Sequence, residues 1–234
     1  MRTAPVWSPR RAGQPWLGAT AALTLGLLFA WPSLADARPS SPAGLTEADA
    51  SSDARQVTAW VLETADNQGL PFLIVDKINA QVLAFDREGR LLGATPVLLG
   101  LAHGDISPPG IGDRPLSAIP PEDRITPAGR FLASKGENLE GKGILWVDYD
   151  SALSLHPVVT TRAADRRLQR LASPAADDNR ISYGCINVSA GFYTDVVQPT
   201  FSGTTGVVYI LPETLSLAEV FFTAPVIDQP GPAA

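Results

Sequence analysis

The residues with the clearest chemical potential lie at 182–187, where the sequence Ser-Tyr-Gly-Cys-Ile-Asn contains the only cysteine of the chain, Cys185. Gly184 permits a tight backbone turn that brings N–H groups close to anything bound to the sulfur. Ser189 can cap a helix that begins just after the cysteine, and helix N-termini favour a thiolate. Cys185 is therefore a nucleophile, a buried apolar side chain or half of an intermolecular disulfide, and its setting favours the nucleophile.

A thiol nucleophile needs a base, and the chain offers only two histidines, His103 and His156. His156 ends a predicted strand, where alternation places it on the face of Ser154 and opposite Leu155. His103 lies in a long loop, where the orientation of a side chain is less fixed than at the end of a strand. His156 is the preferred base, and His103 stays as the second candidate.

The elements that would position these side chains are mostly strands. Alternating apolar runs separated by turn residues predict strands at 72–75, 81–85, 91–99, 130–132, 144–149, 153–159 and 207–211. Helical spacing predicts helices at 52–67, 162–171 and 189–197. Residues 100–125 are rich in Pro and Gly and lack periodicity, which predicts a long loop covering the substrate groove. The pattern indicates a mainly β chain, with a meander inside a sandwich or barrel.

The first 37 residues have the layout of a secretory signal peptide. Arg10 and Arg11 give a basic start, and an uncharged apolar run of about 15 residues follows, shorter than the ~20 that span a membrane. Ala35 and Ala37 supply the small residues of a cleavage site. We therefore expect an exported protein of the periplasm or cell envelope, with no stable membrane span after signal cleavage. An uncleaved anchor is the alternative, and the export route, Sec or Tat, stays open.

The composition limits the other classes of function. Net charge is −6, and no basic run follows the first residues, which argues against nucleic acid as a partner. A single cysteine excludes an internal disulfide framework, and because there are only two histidines the composition also argues against a metal site.

The predicted organisation is a signal peptide at 1–37, a linker at 38–50, an N-terminal helical segment at 51–70, a catalytic domain at 71–212 and a C-terminal tail at 213–234.

Over about residues 71–212 the chain resembles the L,D-transpeptidase catalytic domain family (YkuD type) of bacterial cell-wall enzymes. His156 followed by the 182–187 segment is similar to the family's histidine, spacer and Ser/Thr-His-Gly-Cys motif. Residues 126–131, Thr-Pro-Ala-Gly-Arg-Phe, look like its Thr-Pro-x-Gly-x-Phe motif. The chain departs from the family in three ways: Tyr183 replaces the second histidine, Pro157 follows the first one, and the interval from His156 to Cys185 is longer than usual.

The resemblance implies an L,D-transpeptidase-like β-sandwich with a few short helices and an N-terminal helix. Cys185 would be the nucleophile and His156 its base. The backbone N–H groups of Tyr183, Gly184 and Cys185 would bind the oxyanion. Ser182 and Asn187 would complete the wall of the active site.

The resemblance also implies the reaction. A tetrapeptide stem of peptidoglycan would be held as a Cys185 thioester and transferred to an amine, either of a second stem, giving a 3–3 cross-link, or of a lipoprotein lysine. No cofactor and no metal are implied. Water as acceptor would make the protein an L,D-carboxypeptidase. A non-catalytic cell-wall-binding domain that has lost activity, with Tyr183 as the trace, is the alternative from another class. A papain-like peptidase is disfavoured, because that group places its cysteine before its histidine.

Overall fold

The computed structural model describes residues 50–222 of the chain. The predicted signal peptide, nearly all of the linker and the end of the tail lie outside the described residues. Ten strands make up the fold: β1 (Phe72–Asp76), β2 (Gln81–Phe85), β3 (Leu91–Pro96), β4 (Leu99–Gly100), β5 (Gly129–Glu137), β6 (Gly143–Asp148), β7 (Leu153–Pro157), β8 (Arg180–Ser182), β9 (Ile186–Val188) and β10 (Gly206–Ile210). The α-helices are α1 (Ser52–Thr64), α2 (Arg167–Leu171), α3 (Ala190–Phe192) and α4 (Gln198–Thr200), and a π-helical turn at Tyr193–Val197 joins the last two.

Eight of the strands form one mixed sheet in the order β3-β2-β1-β10-β5-β6-β7-β9, and β4 pairs with β8 in a two-stranded parallel sheet. β1, β2 and β3 are the predicted antiparallel meander. The last strand, β10, enters the middle of the sheet, parallel to β1 and antiparallel to β5. The prediction of a mainly β chain with a few short helices is confirmed.

The centre of the sheet is apolar on both faces, because helices cover each side. On one face, Leu73 and Val75 of β1 join a core that includes the π-helical turn. On the other face, Phe72 and Ile74 pack with residues of α1 and with Phe221 near the end of the described chain. All five residues of β1, β2 and β10 are buried for this reason.

Helix α1 is fixed at both of its ends. The Ser51 side chain caps it by accepting from the Ala54 N–H at 3.1 Å, which satisfies one of the free N–H groups of the first turn. The helix ends where Ala65 adopts a left-handed conformation, with φ at 53°. It therefore stops before residue 67, where the sequence pattern placed its end.

Two other boundaries differ from the sequence prediction. The predicted helix at 162–171 is broken by Arg166 in the left-handed region, which leaves a 3-10 turn at Ala163–Asp165 and the short helix α2. The predicted strand at 91–99 divides into β3 and β4, which belong to different sheets.

The long segment between β4 and β5 has only short 3-10 turns, at Ile111–Asp113, Leu116–Ala118 and Pro121–Asp123. Ile111 and Ile119 are buried, so they attach the segment to the domain. Residues 213–222, which the sequence analysis placed in the tail, include a π-helical turn at Ala218–Phe222. Within residues 50–222, no helix combines the length and the apolar character needed to cross a membrane.

Candidate active site

Two parallel strands place the candidate nucleophile beside the candidate base. β7 and β9 pair with Leu155 opposite Ile186 and His156 opposite Asn187. Leu155 and Ile186 point into the apolar core. Because side chains alternate along a strand, Ser154, His156 and Asn187 lie on the other face, where Cys185 joins them just before β9.

The Cys185 sulfur lies among polar groups from the end of β7. The Ser154 hydroxyl donates to Sγ at 3.5 Å. As a thiol, Cys185 donates to the Ala152 carbonyl at 3.6 Å. Cys185 as a residue is half-buried.

The pKa values of the two groups shift towards an ion pair. Burial alone would raise the pKa of Cys185, but the nearby His156, with help from Ser154, brings it below the usual 9.0. Burial alone would lower the pKa of His156, but Cys185 raises it above the usual 6.5. Both shifts favour a thiolate–imidazolium pair over the neutral thiol and imidazole.

The imidazole of His156 is oriented by its neighbours. Its Nδ1 lies 2.8 Å from the Pro157 carbonyl, which can only accept, so Nδ1 carries the proton and Nε2 is the basic nitrogen. Asn187 Nδ2 lies 3.3 Å from Nε2, and Arg167 donates to Asn187 Oδ1 at 3.0 Å. Because Arg167 can only donate, it fixes the direction of the Asn187 amide. Pro157 therefore orients the histidine through its main chain.

The turn before the cysteine is closed by Ser182. Its hydroxyl donates to the Cys185 carbonyl at 2.7 Å and accepts from the Gly184 N–H at 3.1 Å. This differs from the expectation that the Gly184 N–H binds the oxyanion, since that group already has a partner. The N–H groups of Tyr183 and Cys185 donate to no acceptor within residues 50–222. These two are the candidate oxyanion donors.

The Tyr183 side chain, predicted to be a wall of the site, packs against Arg124. The Arg124 guanidinium lies 4.1 Å from the centre of its ring, which is a cation–π contact. Tyr183 is half-buried, and its contact links the end of the long loop to the turn before Cys185. A tyrosine at this position thus gives the turn a contact with Arg124.

The structure places His103, the second candidate base, in a different cluster. Its Nδ1 lies 2.9 Å from Glu213 Oε2, and its Nε2 lies 3.8 Å from Asp177. Glu213 also pairs with Arg180. Among the described residues, His156 is the histidine close enough to the thiol to shift its pKa.

That cluster extends to a buried lysine. Lys77 is 0% exposed, and its Nζ donates to Asp105 at 2.6 Å and to the carbonyls of Gly104 and Thr126 at 2.6 and 2.9 Å. These three bonds give every Nζ proton an acceptor. Burial lowers the pKa of Lys77, although its acidic partners oppose this shift.

Asp105 links this lysine to the C-terminal part of the domain. It accepts from the backbone N–H groups of Glu213, Thr214 and Leu215 at 2.9, 2.7 and 2.7 Å. Burial alone would raise the pKa of Asp105, but its bonds from Lys77 and Thr214 hold it well below the usual 3.8. The carboxylate is thus fully paired.

A cavity of about 360 Å³ lies between the long segment and the turn that joins β6 to β7. Ile106, Pro109, Phe131 and Ser151 are among its lining residues. Ser151 adjoins Ala152, whose carbonyl accepts from the Cys185 thiol. The loop thus lines a cavity that does not include Cys185 or His156, and its role as a cover over the substrate stays a prediction. Within the described part of the chain, no group of three or more His, Cys, Asp or Glu residues could hold a metal ion.

No protein-family model and no curated protein matches the chain. Solved structures to which it is similar include the catalytic domain of an L,D-transpeptidase from E. faecium, at 17% identity over 60% of this chain and 96% of that one, with a TM-score of 0.36. The helical cell shape determining protein Pgp2 from Campylobacter jejuni matches at 14% identity over 63% of this chain and 49% of that one, with a TM-score of 0.40.

An L,D-transpeptidase from Mycobacterium smegmatis matches at 15% identity over 60% of this chain and 58% of that one, with a TM-score of 0.35. The chain therefore spans about half of the Pgp2 chain and 58% of the mycobacterial one. Members of the family that the motifs resemble are thus among the structural neighbours. Identities and TM-scores of this size carry no functional argument, so the function depends on the geometry of the site.

Sequence reasoning missed three residues of the site, Ser154, Pro157 and Arg167. Ser154 carried an available signal, because strand alternation already placed it on the face of His156. The Pro157 carbonyl and the Arg167 guanidinium carried none, since both act through contacts that only the fold defines.

Proposed function

We propose that this chain is a cysteine acyltransferase of the L,D-transpeptidase type that acts on tetrapeptide stems of peptidoglycan. The observation that supports it is the arrangement at Cys185. A thiol of lowered pKa lies beside a histidine of raised pKa. Two backbone N–H groups of the same turn, those of Tyr183 and Cys185, have no acceptor among the described residues. Acyl transfer requires these three parts: a nucleophile, a proton carrier and donors for an oxyanion.

The first half-reaction forms the acyl-enzyme. The Cys185 thiolate attacks the carbonyl carbon of the residue before the terminal D-alanine, and the carbonyl oxygen becomes an oxyanion that accepts from the Tyr183 and Cys185 N–H groups. As the tetrahedral intermediate collapses, the C–N bond breaks and the His156 imidazolium gives its proton to the departing amine. The products are free D-alanine and a thioester.

The second half-reaction consumes the thioester. An amine from a second stem enters, loses a proton to the neutral imidazole of His156, and attacks the thioester carbon. The C–S bond breaks, an amide forms, and the imidazolium with the thiolate is restored. A lipoprotein lysine can serve as the amine by the same steps, and water would give a carboxypeptidase. Because the substrate is the cell wall, the proposal places the protein in the periplasm or cell envelope.

Intact mass after incubation with a carbapenem tests the acyl-enzyme. The wild type should gain the mass of one inhibitor molecule. Cys185→Ala should gain none, and its circular dichroism spectrum should be unchanged, because the side chain is small and only half-buried. A wild type that reacts with iodoacetamide but never with the carbapenem would support the non-catalytic wall-binding domain.

The products formed from purified disaccharide-tetrapeptide identify the acceptor. The proposal predicts 3–3 linked dimers together with free D-alanine. Tripeptide without dimers would show that water is the acceptor. Cys185→Ala is the control for both products, and unchanged D-alanine release by this variant would end the thiol mechanism.

A further inference from the structure

The candidate oxyanion donors belong to a turn whose peptide planes must be held in one orientation. In a trans peptide the C=O and N–H groups point in opposite directions, and no peptide bond among the described residues is cis. Whatever holds the Gly184 carbonyl therefore also sets the direction of the Cys185 N–H, since both belong to the same plane. A group that fixes this carbonyl acts on the oxyanion site without touching the substrate.

The Gly184 carbonyl is held by one side chain, that of Thr126. The Thr126 hydroxyl lies 2.7 Å from the Gly184 oxygen and 2.8 Å from the Gly100 nitrogen. Because the Gly100 N–H can only donate, the hydroxyl accepts from Gly100 and must donate its proton to Gly184. Thr126 is 0% exposed, so water does not compete for these bonds.

Close backbone approach keeps Thr126 at this position. A Cβ on Gly100 would meet the backbone of Arg124 and Thr126, and a Cβ on Gly184 would lie 2.8 Å from the Ile125 carbonyl oxygen. Gly184 also has φ at +129°, which side-chain-bearing residues rarely adopt. The two glycines thus allow segments 99–102 and 182–184 to pack directly on residues 124–126.

The main chain of Thr126 is fixed in turn by the buried lysine. Lys77 Nζ donates to the Thr126 carbonyl at 2.9 Å, and the Ala102 N–H donates to the Arg124 carbonyl at 3.0 Å. The hydroxyl is therefore presented by a segment with little freedom to move. A rigid donor of this kind can hold the turn in one orientation while charge develops on the substrate.

We infer that Thr126 is a positioning residue for acyl transfer: its buried hydroxyl holds the Gly184 carbonyl and thereby aims the Cys185 N–H at the oxyanion. The inference rests on the proposed function, because the oxyanion belongs to that reaction. Thr126 does not touch the sulfur, so it should affect the stabilisation of the oxyanion but leave the formation of the thiolate alone.

Two reagents separate these effects. A carbapenem acylates the thiol through an oxyanion, whereas iodoacetamide alkylates it at a saturated carbon and forms none. Thr126→Val removes the hydroxyl and keeps the shape. We expect its carbapenem acylation rate to fall about 10²-fold, the usual loss for one oxyanion donor. Its rate of alkylation by iodoacetamide should stay within about threefold of wild type, because the general base is unaltered. The pH at which that rate is half-maximal should stay within about 0.3 pH unit of wild type for the same reason.

Thr126→Ser retains the hydroxyl, so its rate of acylation by the carbapenem should stay within about threefold of wild type. This is a much smaller change than the loss expected when an oxyanion donor is missing. The matched control is Thr200→Val, which deletes a hydroxyl bonded to the Val196 carbonyl within the last helical segment. It should change neither rate.

Three results would overturn the inference. Acylation of Thr126→Val at the wild-type rate would show that the hydroxyl does not position the turn. Equal losses with both reagents, or no recovery in Thr126→Ser, would show that Thr126 only supports packing around the cysteine. A wild type that is alkylated but never acylated would remove the proposed function itself, and with it the role of Thr126.

Discussion

The Cys185 site and the cluster of Lys77, Asp105 and Glu213 (the Lys77 cluster) are both groups of polar residues within an apolar fold. They differ in how many of their hydrogen-bond donors have no acceptor. Lys77 gives each Nζ proton to an acceptor, and Asp105 accepts from three backbone N–H groups as well as from the lysine. Cys185 is half-buried, and two N–H groups of its turn have no acceptor within residues 50–222.

Shifted pKa values occur in both regions, so they do not separate a reactive site from a structural one. Asp105 and Cys185 both have a pKa below the usual value, because each lies beside a group that carries a proton. The difference is the spare hydrogen-bonding capacity, which costs stability in a folded protein but can be used by a substrate. Mutations should therefore affect stability in one region and rate in the other.

The largest effect is expected on removing the charge of Asp105. Asp105→Asn leaves the Lys77 ammonium buried with only the more distant Glu213, 3.5 Å away. Loss of one partner of a buried pair costs about 3–5 kcal/mol in unfolding free energy. Urea denaturation measures this loss. The control is Asp86→Asn, which breaks a pair with the exposed Arg90 and should cost about 1 kcal/mol or less.

The same carboxylate gives the wild type an acid-sensitive stability. The pKa of Asp105 is lowered in the folded state, so its contribution is present above the unfolded pKa of about 4 and is lost as the pH falls towards the folded value. Glu213 shifts in the same direction. Asp105→Asn should flatten the dependence of unfolding free energy on pH below 4. An equally steep dependence in this variant would assign the effect to other groups.

The next effect is on rate. His156→Ala removes the group that lowers the pKa of Cys185 and that, in the proposed reaction, delivers a proton to the leaving amine, so D-alanine release should fall at least about 10²-fold. Its unfolding free energy should change little by comparison with Asp105→Asn. His103→Ala should retain the rate within about threefold, since His103 contacts Glu213. The reverse order of these two variants would transfer the role of base to His103.

The ion pair predicts a measurable pH profile. The thiolate is present above the lowered pKa of Cys185, so alkylation by iodoacetamide should reach half of its maximum below the 9.0 of an ordinary thiol. In His156→Ala this midpoint should move upward, because burial then acts without the imidazolium. A midpoint that is the same in both proteins would contradict the pairing.

The smallest effect is expected at Tyr183. Tyr183→Phe keeps the ring that contacts Arg124 and leaves the main-chain donors in place. Carbapenem acylation should therefore stay within about tenfold of wild type, or 1.4 kcal/mol of barrier. A greater loss would give the hydroxyl a direct role. A second variant, Tyr183→His, tests the alternative function. If this variant formed a carbapenem adduct and the wild type formed none, the natural protein would be an inactive wall-binding domain.

The local sequence pattern predicted the largely apolar strands β1, β2 and β10, and the ends of these strands lie within one or two residues of the predicted ones. It did not predict that Arg166 would break a helix, because a left-handed conformation at an arginine is imposed by the surrounding structure. Nor did it predict that β10 lies beside β1, since the pairing of distant strands leaves no local signal.

The candidate site was partly predictable because the chain has one cysteine and two histidines, so few combinations exist. The roles of the main chain were not: which N–H group in the turn is free depends on where the Ser182 hydroxyl points. The Lys77 cluster was missed for the same reason as the strand order. Its members come from separate parts of the sequence, and nothing near Lys77 indicates that Asp105 will meet it.

The place of β10 in the sheet has a consequence for the order in which the chain folds. It lies between β1 and β5 and supplies hydrogen bonds to both, so the two halves of the sheet have no common edge until residues 206–210 are available. Contacts between residues so far apart in sequence slow folding, because the intervening chain must first be confined. A nascent chain leaving the ribosome can form the β1–β2–β3 meander early, but its central strand pairs only after almost the whole domain has been synthesised.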